Sequence, residues 1–163
     1  MDDIAAWFAG RLPGDWFEGS PEVTVDREEI VVVGTVPAPD VEAAVLEQAA
    51  AGRAERFREE TRAARMRIAD EAEARFGRKV AWGVRCGPVR TVFTNLAVPV
   101  MTRLRQPERR LLDTLVEAGV ARSRSEALAW SVRLVAQHQG DWVQQLRDSL
   151  GAVRAARAAG PQV

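Results

Sequence analysis

Residues 98–138 have the sequence VPVMTRLRQPERRLLDTLVEAGVARSRSEALAWSVRLVAQH, and their pattern is the most informative part of the chain. In a β-strand from Val100 to Arg105, successive side chains would point to opposite faces, with Val100 and Leu104 on one face and Arg103 and Arg105 on the other. This segment therefore predicts a short strand with a core face and a projecting face. The core face would carry Val100, Thr102 and Leu104, and the projecting face Met101, Arg103 and Arg105.

Two amphipathic helices are predicted after this strand. Pro107 suits the first turn of helix A, where its missing N–H costs nothing, and Gly119 suits its end. Ser123 and Glu126 have the spacing of a capping box, which predicts the start of helix B. The predicted buried faces carry Leu111, Leu112, Leu115 and Val116 on helix A, and Ala127, Leu128, Ser131, Val132 and Val135 on helix B.

This order of strand, helix, Ser-Arg-Ser-Glu-Ala turn and helix resembles the ribbon-helix-helix (Arc/MetJ-like) DNA-binding family. The likeness covers roughly 40 of the 163 residues. It implies a homodimer whose two strands pair antiparallel and enter the DNA major groove as a ribbon. The residues that carry the likeness are Thr102–Leu104, Leu112-Asp113, Leu115-Val116, Gly119 and Ser123–Leu128.

The resemblance also implies which residues touch DNA. Arginine can form two bonds to guanine, and methionine can contact a thymine methyl group. The N-terminus of helix B would bind a phosphate through free backbone N–H groups and hydroxyls. The implied base contacts are Met101, Arg103 and Arg105, and the implied phosphate contacts are Arg122, Ser123, Arg124 and Ser125.

Dimerisation is also expected on physical grounds. A lone strand with two short helices can neither bury its apolar face nor pair its strand edge, and a second copy would do both. Pro99 cannot donate a ladder hydrogen bond, so the ribbon strand would begin at Val100. The predicted dimer core comprises Val100, Leu104, Leu112, Leu115, Leu128 and Val132.

The rest of the chain predicts an α+β protein, with an N-terminal ββαββ domain at 1–95 for sensing or interaction, followed by the DNA-binding and dimerisation domain at 96–163. Two β-rich hairpins flank a helical stretch over 41–76, in which Gly52 is a candidate break and Gly77 a C-terminal cap. The predicted strands are Val23–Val25, Ile30–Val36, Lys79–Cys86 and Val89–Thr94.

Charge is divided unevenly along the chain. Residues 1–80 carry 11 basic and 17 acidic side chains, whereas residues 81–163 carry 12 basic and 6 acidic ones. The C-terminal half can therefore meet a polyanion such as double-stranded DNA, which the N-terminal half would repel.

Signals for other protein classes are weak. His138, the single histidine, has no partners at metal-ligand spacing, and Cys86 is predicted to be a small buried hydrophobe rather than a redox-sensing thiol. Without a phosphate loop or nucleophile elbow, no enzyme, cofactor or metal is expected. The acidic start, the lone cysteine and the lack of a long apolar run predict a cytoplasmic location without membrane association.

Two features each leave two interpretations open. An amphipathic C-terminal helix beyond Gly140 would either pack on the dimer or present a surface to a partner protein. An aromatic cluster near the N-terminus would either cover the core or line a ligand or peptide pocket. The helix stripe is Trp142, Val143, Leu146, Leu150 and Val153, and the cluster is Trp7, Phe8, Trp16 and Phe17.

The leading hypothesis is a homodimeric, sequence-specific transcriptional regulator, such as a repressor. In that case the N-terminal domain senses a ligand or partner or extends the dimer interface. The alternative is an antitoxin-like or scaffolding protein that uses the same dimer for protein assembly, gripping a partner through the C-terminal helix or the N-terminal domain. A small enzyme, the third class, lacks a catalytic constellation.

Overall fold

The computed structural model describes residues 2–159 and divides the chain into two compact units, Met1–Val100 (unit 1) and Met101–Val163 (unit 2). The sequence places this boundary between residues 95 and 96. Residues 160–163, at the end of the predicted C-terminal domain, lie outside the described part. Helices and a four-stranded sheet are both present, so the prediction of a mixed α+β chain is confirmed.

Unit 1 is built on one sheet of four strands, which are β1 (Glu22–Val25), β2 (Glu29–Thr35), β3 (Lys79–Cys86) and β4 (Val89–Val92) in that order. Its two edge pairs are antiparallel hairpins, and the central strands β2 and β3 are parallel, as a helical crossover between them requires. The four predicted strands are all found.

The helices of unit 1 differ from the prediction in two ways. An N-terminal helix precedes the predicted ββαββ pattern, and the helical stretch expected over 41–76 is a 3-10 turn followed by two helices. The proposed break at Gly52 is wrong, because Gly52 lies inside the first of these two helices. The bounds are Asp2–Arg11 for α1, Ala43–Val45 for the 3-10 turn, Leu46–Glu60 for α2 and Arg62–Phe76 for α3.

The break occurs instead at Thr61, where side-chain hydrogen bonds are added to the backbone ones. The Thr61 hydroxyl and N–H both donate to the carbonyl oxygen of Phe57, at 2.6 and 3.1 Å. The Arg65 guanidinium donates to Thr61 Oγ1 at 2.9 Å and to the Arg58 carbonyl oxygen at 2.7 Å. Arg65 is only 6% exposed, and its burial lowers the pKa of the guanidinium. A buried cation at the end of α2 thus satisfies the Arg58 carbonyl group, close to the negative end of the helix dipole.

The core of unit 1 lies between the sheet and its helices. Phe8 is fully buried and meets Trp82 edge to face, with 5.9 Å between ring centroids. The other three residues of the aromatic cluster, Trp7, Trp16 and Phe17, are half-buried against this core, so the cluster covers the core. Cys86 is also buried, as predicted, and burial raises the pKa of its thiol.

Unit 2 consists of an extended segment and three helices. Its core is small, since Leu112, Ala121 and Ala127 are the only buried residues described between 101 and 159. None of the helices described between residues 2 and 159 is long and apolar enough to cross a membrane. The helices are Gln106–Glu117 for α4, Arg124–His138 for α5 and Gly140–Ala158 for α6.

Candidate nucleic-acid interface

The segment predicted to form the ribbon is not a strand in the single chain. Within residues 2–159 it has no neighbouring strand, and no backbone N–H from Met101 to Leu104 donates a hydrogen bond. Its end is held by the Arg109 side chain, which donates to the Leu104 carbonyl oxygen at 2.6 Å. Arg105 then enters α4 with an extended backbone, at φ −81° and ψ 175°. The segment therefore keeps its backbone donors free for a partner.

The three implied base-contact residues share this segment. Met101, Arg103 and Arg105 are all exposed, Met101 to 93%. Leu104 is half-buried against the core of unit 2, as the alternating pattern predicts. Thr102, which was assigned to the same core face as Leu104, is exposed in the single chain. The alternation is thus visible at Leu104 but not at Thr102.

The turn between α4 and α5 is tightly bonded. Gly119 has a φ of 75°, a left-handed conformation that glycine adopts without strain. Ser123 caps α5, with its hydroxyl accepting from the Glu126 N–H at 3.2 Å. The reciprocal bond of a capping box is not formed, because the Glu126 carboxylate accepts from the N–H of Arg122 at 2.8 Å. The predicted box is therefore only half present.

The four implied phosphate contacts are all exposed, but two of them already have carboxylate partners. Arg124 donates two bonds to Asp113 on α4, at 2.6 and 2.7 Å. The Arg122 guanidinium bonds the Glu126 carboxylate at 3.1 and 3.2 Å. Among the described residues, the backbone N–H groups of Arg124 and Ser125 have no acceptor. The open part of this helix N-terminus is therefore its backbone and the Ser125 side chain.

The Arg124–Asp113 pair joins the start of α5 to α4. The guanidinium hydrogen bond holds the pKa of the Asp113 carboxyl below its ordinary value, and the Arg122 guanidinium does the same for Glu126. Sequence reasoning identified Arg124 but missed Asp113 as its partner. The two residues stand on different helices, and no periodic pattern links them.

Replacement of Asp113 by Asn should change how the stability of unit 2 depends on pH. A carboxyl with a lowered folded pKa stabilises the fold above its unfolded pKa of about 3.9, and this contribution is lost as pH falls through the folded pKa. The midpoint temperature of thermal unfolding should therefore fall more steeply from about pH 5 to pH 3 for the wild type than for Asp113→Asn. Glu117→Gln, an exposed change on the same helix, is the control. Parallel pH profiles for wild type and Asp113→Asn would contradict the ion pair.

The predicted dimer core is mostly unburied in one chain. Leu112 is buried, and Leu104, Leu115 and Leu128 are half-buried around it. Val100 is 88% exposed and Val132 is 63% exposed. Further large apolar side chains that are exposed nearby are Leu111, Val120 and Val135.

Helix α6 has no buried residue. Its apolar stripe is about half exposed at each of four positions, and Val143 is half-buried. His138 ends α5, and the described residues contain no group of three or more His, Cys, Asp or Glu side chains that could hold a metal ion. The four exposed stripe residues are Trp142, Leu146, Leu150 and Val153.

Both units match known protein families. Residues 2–92 match the model described as the Rv1265-like protein, N-terminal domain, and residues 105–157 match that of the Mb1296 C-terminal domain. Protein Mb1296 of Mycobacterium bovis and protein Rv1265 of Mycobacterium tuberculosis are each 60% identical to this chain over 162 residues. Each match covers 98% of this chain and 70% of the relative, and both relatives are named as uncharacterized proteins. No solved structure matches the chain. The chain belongs to the Rv1265-like family.

Proposed function

We propose that this protein forms a homodimer through unit 2 and binds DNA sequence-specifically as a cytoplasmic transcriptional regulator, most simply a repressor. The observation that carries the proposal is the extended segment before α4. It combines free backbone donors with exposed arginines and an apolar residue turned to the core. Two such segments, paired antiparallel, would form a ribbon of the width that a major groove accepts.

The exposed apolar side chains of unit 2 support the proposal of a dimer. Leaving large aliphatic side chains such as Val132 in water forgoes about 1.5–3 kcal/mol for each one that a partner could bury. The exposed apolar residues flank the small core of unit 2, so one partner surface could cover several of them. A second copy of the chain offers the same set, which is the self-complementarity that a two-fold dimer requires.

Charge and open donors support DNA as the ligand. Arg103 and Arg105 lie on the exposed side of the segment, where they could reach guanine edges. The free N–H groups of Arg124 and Ser125 at the start of α5 form an anion-binding helix terminus for a phosphate. Residues 81–163 carry twice as many basic as acidic side chains, 12 against 6, which favours the approach of a polyanion.

The paired arginines favour a second candidate function, in which the same dimer serves protein assembly alone. Arg122 and Arg124 are held by Glu126 and Asp113, so DNA would have to compete with carboxylates for both guanidiniums. A scaffolding or antitoxin-like protein would need no such competition. DNA binding at matched salt separates the two functions.

The dimer itself has a direct test. The full chain should sediment at twice its monomer mass at micromolar concentration, and Val132→Asp should convert it to a monomer or unfold unit 2, because a charge would enter the buried interface. Gln137→Asp places the same side chain at a polar, exposed position of α5 and should leave the dimer intact. A compact, folded wild-type monomer would contradict the dimer and the ribbon together.

A further inference from the structure

Helix α6 carries an apolar face that no part of the described chain buries. It runs for 19 residues from Gly140 to Ala158, and successive residues turn by about 100° around its axis. With that turn, its five large apolar side chains fall within an arc of about 100°. The residues of this arc are Trp142, Val143, Leu146, Leu150 and Val153.

The charges of α6 are not spread evenly around it. By the same turn, Arg154 and Arg147 follow one edge of the apolar arc, and Arg157 continues the arc itself near the C-terminus. Asp141 and Asp148 lie on the opposite side of the helix. The face available to a partner is therefore apolar and bordered by positive charge, with its negative charge turned away.

A second copy of α6 is a poor match for this face. Val143, Leu146, Leu150 and Val153 have the spacing of a coiled-coil seam. Arg157 is next in that seam, so a parallel pair would bring two arginines together. The flanking Ser149 and Ala156 offer no carboxylate to Arg147 or Arg154, and an antiparallel pair would oppose these arginines.

A lipid surface also matches poorly. Membrane-surface helices combine a broad apolar face with many basic residues, whereas α6 has three arginines against two aspartates. Binding to anionic lipid grows with the number of basic residues near the surface, and one excess charge adds little. The charges of α6 are distinguished by their positions rather than by their number, and a protein groove with fixed side chains can recognise such positions.

We propose that α6 is a docking helix whose apolar face enters an acidic-rimmed apolar groove of another protein, with partner carboxylates pairing Arg147, Arg154 and Arg157. This mode is the helix-in-groove type of recognition, in which apolar anchors supply affinity and charge supplies specificity. The proposal stands apart from DNA binding, because it uses none of the residues before α6.

The proposal can be tested with a synthetic helical peptide that stands in for the acidic groove of the partner. The positions of this peptide that face α6 are leucine, and the positions on either side of them are glutamate. A matched control peptide carries lysine in place of each of these glutamates. We expect the full chain to bind the fluorescent glutamate peptide at least tenfold more tightly than the lysine peptide, by anisotropy at low salt. Raising the salt to about 1 M, where the Debye length is about 3 Å, should reduce that preference.

Two variants on α6 locate the binding face. Leu150→Gln removes an apolar anchor and should weaken binding of the glutamate peptide about tenfold or more. Ala155→Gln places the same side chain on the opposite face and should leave the affinity unchanged. Circular dichroism of both variants checks that the helix content is retained.

Three results would overturn the proposal. The first is equal binding of both peptides, or of neither, by the wild-type chain. The second is loss of self-association in Leu150→Gln by sedimentation, which would assign the face to a second copy. The third is that the wild type shows no preference between the peptides but sediments with phosphatidylglycerol vesicles, and that Leu150→Gln no longer does so. This result would assign the face to lipid.

Discussion

Arg103→Ala is expected to abolish sequence-specific DNA binding while leaving the mass and the thermal stability of the dimer nearly unchanged. Arg103 is exposed and makes no hydrogen bond or ion pair within residues 2–159, so truncation costs the fold little. A lost bidentate guanine contact is worth about 1–3 kcal/mol. Because the proposed dimer would repeat it in each half-site, the specific affinity should fall about 30-fold or more.

The measurement is a gel shift against a site selected from random DNA, at matched salt, since phosphate contacts make the affinity depend on salt concentration. Ser125→Ala is the control at the proposed phosphate contact. It should weaken binding to all sequences alike, because phosphate contacts position a protein without identifying bases. If Arg103→Ala binds as well as the wild type, or the wild type never exceeds non-specific binding, protein assembly replaces DNA binding as the function.

Phe8→Ala should cost unit 1 about 3–5 kcal/mol of unfolding free energy, as expected for a large aromatic removed from a packed core. Phe8 is fully buried and contacts two tryptophan rings edge to face, Trp7 at 4.9 Å and Trp82 at 5.9 Å between centroids. Urea denaturation followed by tryptophan fluorescence measures the loss. Met66→Ala, at an exposed position of α3, should change stability by less than about 0.5 kcal/mol.

A small effect of Phe8→Ala would mean that α1 adds little to the core. That result would contradict the assignment of the aromatic cluster as a cover of the core of unit 1.

The strands of unit 1 could be predicted because their signals are local. Runs such as Ile30–Val36 concentrate β-branched residues between turn formers, and the structure places β2 over Glu29–Thr35. Helices α4 and α5 were likewise predictable from Pro107, Gly119 and Ser123, which mark helix ends through their own backbone or side-chain chemistry.

The errors have non-local causes. Helix α1 is only ten residues long, and its buried side chains Ile4 and Phe8 pack on the sheet that follows in sequence. The break after α2 depends on hydrogen bonds between Thr61 and Arg65, one turn later. Neither residue is a strong helix breaker in sequence, whereas Gly52 is, so the sequence predicts the break at the wrong residue. The pairing of Arg124 with Asp113 spans two helices, which no single-helix pattern reveals.

The candidate site was predictable in part. Exposure of Met101, Arg103 and Arg105 agrees with their expected position on a projecting face. Whether the segment becomes a ribbon depends on a second chain, because a strand exists only through the hydrogen bonds of its neighbour. The sequence contains the alternating pattern, but the pairing is a property of the assembly.

The ion pairs at the start of α5 also bear on the counterions that surround DNA. A cation that neutralises a phosphate displaces condensed salt ions, and each such contact steepens the salt dependence of log K by about 0.9. Arg122 and Arg124 are already paired with carboxylates, so they would bring little net charge to a DNA duplex. A phosphate held instead by the backbone N–H groups of α5 would release few ions. The DNA-binding constant of this protein would then fall less steeply with salt concentration than the number of contacted phosphates alone would predict.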